Sequence, residues 1–210
     1  MVNRRTPAGT PRLRRTRAVL AGALVLGLGT TSTLAAWTDS EYGTGSFGAS
    51  VFGTESQTAS SSWASHTPVA NAATLAFNAT AMSPSVSFYA FLDIRTTSTT
   101  NVGGAVALTS SSNNSGALLP ALEYRAVRTP TTSTTCAAAA FSGSPTWIVG
   151  PGYSAITAVP GSPVSSPITV PAGATPQLRF CFEVRVQSGA SNAYQGTTGV
   201  VTWEFTATST

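Results

Sequence analysis

The 210 residues contain no lysine, a single histidine at His66, and two cysteines, Cys136 and Cys181. Each scarcity excludes something. One histidine, two cysteines and seven scattered acids cannot make up the usual ligand sets of catalytic zinc. No CxxC spacing points to redox or metal chemistry, and neither cysteine follows the leader closely enough for lipid attachment. A Ser-His-Asp arrangement needs an oriented base. His66 lies in the Ser-rich stretch "ASSSWASH" with no acid near it in sequence, and it reads as a solvent-exposed loop residue. Charge is scarce as well, at 9% of residues. The basic pI near 9.6 would suggest nucleic acid or an acidic membrane surface, but it has a local origin. All basic residues are Arg, and six of the 11 (Arg4, Arg5, Arg12, Arg14, Arg15, Arg17) fall within the first 17 positions. From residue 37 onward five Arg face all seven acids, a net charge of −2. No nucleic-acid partner is expected.

The basic start leads into "AVLAGALVLGLG", residues 18–29, and then the small residues "TLAA". These are the three parts of a secretory signal. An apolar core of this length is short for a bilayer, which takes around 20 apolar residues. We therefore expect residues 1–36 to be removed, with Ala36 and Trp37 as the scissile pair, and the membrane to be met only through the leader. The expected product is secreted, extracellular or at the cell surface, with residues 37–54 as an N-terminal arm and 55–210 as one domain.

Beyond the leader the strand signals dominate. In "QLRFCFEVRVQ", Leu178, Phe180, Phe182, Val184 and Val186 share one face, and Arg179, Cys181, Glu183 and Arg185 the other. "GVVTWEFTAT" alternates likewise, with Val201, Trp203, Phe205 and Ala207 inward, and the pair reads as a C-terminal hairpin. "SVSFYAFLDIR" has Tyr89 and Phe91 on its second face, which suggests a strand in mid-sheet or under a loop. Shorter strands are expected at 46–52, 73–80, 102–109, 122–128 and 146–150, with pieces near 154–159 and 164–170. Residues 55–72 and 128–145 read as loops. About ten short strands at turn-length spacing imply an all-β chain, an antiparallel β-sandwich of jelly-roll type, preceded by the signal helix. Two cysteines beyond an export signal suggest one bridge. Closing a loop of 45 residues is worth roughly 4 kcal/mol by loop entropy, and it would pin the 128–145 segment onto the sheet.

Asp93, Glu123, Glu183 and Glu204 could supply the carboxylate pair of a glycoside hydrolase, yet three of them alternate with apolar residues as an outward polar face would. Trp63, Trp147, Tyr153 and Tyr194 could form a sugar-stacking platform. Neither pattern amounts to an active site, and no catalytic residue, metal or cofactor is expected.

The junction "GLGTTSTLAAWTDSE" resembles the signal region of exported bacterial proteins processed by the SipW-type signal peptidase, the TasA and camelysin group. "GTGSFGASVFG" resembles that group's early mature strand, and "AMSPSVSFYAFLDIRTTSTTNVGGAVALT" its alternation of strands and polar turns. The resemblance implies a secreted jelly-roll sandwich, handled by a signal peptidase during export, whose TasA-like members build matrix fibres at the cell surface or in biofilms. In such a fibre the freed N-terminal segment adds as a strand to the next subunit. An open sheet edge offers the unpaired backbone groups for that, and head-to-tail addition does not close on itself. By alternation the donor strand presents Phe47, Ala49 and Val51. The partner is then a second copy, head to tail, or a related fibre subunit. The alternative is a monomeric secreted adhesin or glycan-binding module. The chain departs from the group in Trp37, where Phe or Tyr is usual, in lacking an acidic ending to the early strand, and in its cysteine pair. It also has no HExxH, so a metallopeptidase role does not carry over. N-terminal sequencing of the secreted protein should return Trp37 first, and any other first residue overturns the assigned cut.

Overall fold

The structure is a computed structural model, described here for residues 11–29, 39–77, 79–159 and 168–210. The expected cut between Ala36 and Trp37 lies outside the described residues. The chain divides into two units, Met1–Phe47 and Gly48–Thr210. In the first, one helix among the described residues, α1 (Pro11–Gly29), carries Arg12, Arg14, Arg15 and Arg17 and the apolar run 18–29. It begins on a proline, whose missing N–H costs nothing at a first helical position. Among the described residues no helix is long and apolar enough to cross a membrane.

The second unit is an antiparallel sandwich. Its nine strands among the described residues are β1 (Thr54–Thr58), β2 (Ser61–Ala64), β3 (Ser87–Thr96), β4 (Gly104–Ser115), β5 (Leu122–Thr129), β6 (Thr146–Ala155), β7 (Ile168–Val170), β8 (Leu178–Val186) and β9 (Val200–Ser209). Six form one sheet in the order β2-β1-β3-β8-β5-β6, and three form the other in the order β7-β4-β9. The core lies between them. Alternation supplies it: Leu92 and Ile94 from β3, Tyr124 and Ala126 from β5, and Leu178, Phe180, Phe182, Val184 and Val186 from β8 are buried, and Phe205 and Trp203 of β9 close on them from the narrow sheet.

Several expectations need correction. β8 and β9 do not form a hairpin; they belong to different sheets. Each has one apolar face, and that face meets the same core from opposite sides, so alternation alone could not distinguish pairing from packing. Residues 55–72, expected as loop, contain β2 and most of β1, and the inward positions of β1 are Thr54, Ser56 and Thr58, which carry no apolar signal. Residues 73–77 are not a strand, although Leu75 and Phe77 do pack against the core. Residues 46–52 also form no strand.

Segment 128–145 holds a loop with one short 3-10 turn at Ala138–Phe141, as expected. The bridge Cys136–Cys181 ties it to the outer face of β8. There Phe141, Val127 and Cys181 form a second, smaller core with Tyr89 and Trp147 packed around it. Replacing both cysteines by serine should lower the unfolding free energy by about 4 kcal/mol, read from urea denaturation, with the 130–145 segment the first to become cleavable by protease.

Candidate functional site

The narrow sheet ends at β9. Its one side pairs with β4, and among the described residues no strand pairs with its other side. Along that free side runs a groove of about 850 Å³. β9 and the preceding Gly199 form one wall, Leu92, Ile94 and Val106 form an apolar floor, and Thr54–Ser56 with parts of 65–77 form the opposite wall. Trp203 is the centre of this region. Its ring stacks on Phe182 at 4.9 Å, lies 5.2 Å from Tyr124, and meets Phe77 edge-on at 6.4 Å. The buried indole Nε1 has no hydrogen-bond partner among the described residues. The Tyr124 hydroxyl donates to the Ala158 carbonyl at 2.6 Å, and burial pushes its pKa up to about 12.

His66 also lines this groove. It is half-buried rather than a free loop residue, with Nδ1 2.9 Å from the Ser56 hydroxyl. Two residues ten apart in a polar stretch meet because the β1-β2 hairpin folds one back on the other. The adjacent Glu55 belongs to the other face of β1 and receives Arg95 Nε at 2.7 Å. Among the described residues no carboxylate hydrogen-bonds the imidazole, so the pair lacks the orienting acid of a catalytic triad.

The segment before β1 is the second part of the site. Residues 39–53 have no helix or strand. Phe47 is 98% exposed, Ala49 is exposed, and Val51 is 51% exposed. Val51 is nonetheless held by its own unit. Its N–H donates to Asn101 Oδ1 at 2.8 Å, and the Asn101 N–H donates back to its carbonyl at 3.1 Å. Gly53 is fixed in the same way by Thr100 Oγ1 at 3.0 Å and by the Thr97 N–H at 2.9 Å. Between them Phe52 lies over Gly104, where a Cβ would stand 2.7 Å from its ring. The expected donor set therefore divides: Phe47 and Ala49 are exposed, while the Val51 backbone is docked.

Of the acids singled out from sequence, Glu204 is on the groove wall, and Asp93, Glu123 and Glu183 lie elsewhere. On the outer face of the wide sheet, directly opposed residues pair as Glu55 with Arg95, Asp93 with Arg179, Glu183 with Arg125 and Glu123 with Arg185, each at 2.6–2.7 Å. Glu204 is on the other sheet and accepts from the Ser110 hydroxyl. The most enclosed pairs are Asp93–Arg179 and Glu183–Arg125. Glu183 accepts from Ser87 and Tyr153 hydroxyls at 2.6 Å and from Arg125 Nε at 2.6 Å. Burial by itself would raise its pKa; these hydrogen bonds and the adjacent guanidinium outweigh that and hold it below the usual carboxylate range. Of the four aromatic residues proposed as a platform, only Trp147 and Tyr153 come together, with Arg125 over both rings at 5.6 and 4.8 Å. Trp147 lies across Gly150, whose φ of 142° and missing side chain make room for it. Trp63 instead stacks under Arg95, and Tyr194 packs at the edge of the main core. Among the described residues no group of three or more His, Cys, Asp or Glu could hold a metal ion.

No family model matches the chain, and no curated protein matches it.

The depressed Glu183 pKa sets a sign. A carboxylate more acidic in the folded state than in the unfolded one adds stability above its ordinary value of 4.5, and that stability is lost as pH falls through the folded value. Glu183→Gln should thus flatten the acid limb of the stability-pH profile, measured by urea unfolding between pH 7 and 3, and lower stability at pH 7 by roughly 3 kcal/mol because Arg125 loses its partner.

Proposed function

We propose that this protein is a non-enzymatic structural subunit of a secreted fibre, of the TasA-like kind, in which the N-terminal segment of one copy adds as a strand to the next. The observation that carries this reading is the unpaired side of β9 lying along an apolar groove. An open edge leaves a row of backbone N–H and C=O groups to be met by another strand, and Leu92, Ile94, Val106 and Phe205 beside it offer places for that strand's alternate side chains. The same chain has an irregular segment ahead of its first strand with a fully exposed phenylalanine. The bridge Cys136–Cys181 fits an oxidising, extracellular setting. Removal of the leader by signal peptidase would shorten the chain ahead of this segment and leave its end free.

The monomeric glycan-binding alternative has weaker support. Trp147 and Tyr153 are half-buried and engaged with Arg125. An enzymatic reading has weaker support still, since four carboxylates are each neutralised by an arginine.

Because Gly48–Thr210 is a unit in itself, cutting at Phe47 leaves the sandwich intact. Electron microscopy of the chain from Trp37 should show filaments that are absent from the chain from Gly48; monomers from both would sink the reading. Phe47→Ala should raise the subunit concentration needed for filaments about tenfold to a hundredfold, the cost of one unburied phenylalanine.

A further inference from the structure

We infer that the groove takes its added strand antiparallel to β9, a direction the chain's own segment cannot supply, so that a second copy supplies it; the inference rests on the donated-strand reading above. Two observations combine. The first is the point at which the segment is fixed. Val51 and Gly53 are hydrogen-bonded to Asn101, Thr100 and Thr97, and Phe52 lies over Gly104. Gly104 is paired with Ser209, the last residue of β9. A chain's own segment is therefore held at the C-terminal end of its own groove wall.

The second is direction. If that segment folded back along its own β9, it would run from Gly48 toward lower numbers while moving from Ser209 toward Val200. Its N-to-C direction would then match that of β9, which is parallel pairing. Antiparallel pairing within one chain would require Phe47 to lie deep in the groove with Gly48–Val51 continuing toward Val200. Val51 is fixed at the opposite end. Four extended residues span at most ~14 Å, whereas β9, ten residues long, extends roughly 34 Å.

The fold gives reason to expect the antiparallel form. All ladders between strands in the described residues are antiparallel, and the lone parallel bridge, Pro84 with Val186, is a single residue pair. β9 itself is already paired antiparallel to β4, and antiparallel bonds are the slightly stronger per residue. The anchoring of residues 51–53 thus disfavours self-filling and directs the exposed segment outward. A parallel closed monomer is the competing product, and chain direction separates the two.

Cysteine cross-linking of exported, processed protein reads that direction. With Phe47 and Ala49 turned into the groove, Thr44, Ser46 and Gly48 face outward by alternation, as Thr202, Glu204 and Thr206 of β9 alternate with the inward Trp203 and Phe205. Single variants Thr44→Cys, Gly48→Cys, Thr202→Cys and Thr206→Cys are mixed in pairs and treated with a short bismaleimide. The antiparallel arrangement predicts dimer-sized product several-fold more abundant from Thr44→Cys with Thr206→Cys and from Gly48→Cys with Thr202→Cys than from the two swapped combinations. Yield should fall with dilution. The reverse preference, or a dilution-independent link within a chain bearing both changes, overturns the inference while leaving the groove as the receiving site. No cross-link at either β9 position overturns the inference together with the donated-strand reading.

Discussion

Three strands set over six leave part of the wider sheet's inner face without a strand above it among the described residues, and the way the chain handles Leu92 and Ile94 in that gap governs the rest of the sandwich. A strand placed there would cover them and continue the hydrogen-bond ladder from β9. The chain instead uses residues 65–77, which supply Leu75 and Phe77 as apolar cover. Among the described residues, the backbone of 73–77 makes no hydrogen bond to backbone. It is held by hydroxyls, with Thr58 Oγ1 and Ser60 Oγ both donating to the Thr74 carbonyl at 2.8 Å. Such a cover contributes burial but not pairing. The gap is closed well enough for a folded monomer and remains open to something that can do both.

The opposite face of the same sheet is finished very differently. β8 lies at its middle and is buried on both sides, with Phe180 and Phe182 against the core and Cys181 and Glu183 beneath the bridged loop and its neighbours. Taking Asp93 and Glu183 out of water is tolerable because each meets an arginine at the directly opposed position of the next strand, and each has further donors. Arginine suits this role since its planar head can bond a carboxylate and still lie against a ring, as Arg179 does over Phe91 at 4.0 Å and Arg185 over Tyr153 at 3.5 Å. One face is thus closed by mutually satisfied polar groups and a covalent tie. The other depends on a strap pinned by hydroxyls at the Thr74 carbonyl.

Much of this was legible in the sequence where one residue's neighbours fixed its environment. The five inward residues of β8 and the partly apolar second face of β3 followed from alternation, and the bridge followed from an even cysteine count in a chain expected to be exported. The arginine ladder was present in the same strands, with Arg179, Glu183 and Arg185 at alternate positions, but its partners come from β3 and β5, and register across strands is not written along one of them. The supposed hairpin of β8 and β9 failed for a related reason: the same inward face serves two strands that pair and two that pack. β1 and β2 were hidden because Thr54, Ser56 and Thr58 occupy core-facing positions at the edge of the sheet, where an apolar pattern is not required. His66 was misread because its proximity to Ser56 depends on that hidden hairpin.

The arm before β1 joins these threads. Three of its four glycines, at 43, 45 and 48, precede the docked residues and raise the entropy lost on becoming a strand, and within its own chain no strand receives it among the described residues. Its far end is nonetheless rigidly seated, because Phe52 occupies the space that Gly104 leaves at the end of the core. A loose segment on a fixed mount has a defined point of departure and a limited reach. With that departure beside Ser209, the segment's cheapest ordered state within its own chain would require a parallel ladder, a form absent from every strand-to-strand ladder described here. A segment denied a favourable place at home is what the donated-strand proposal requires.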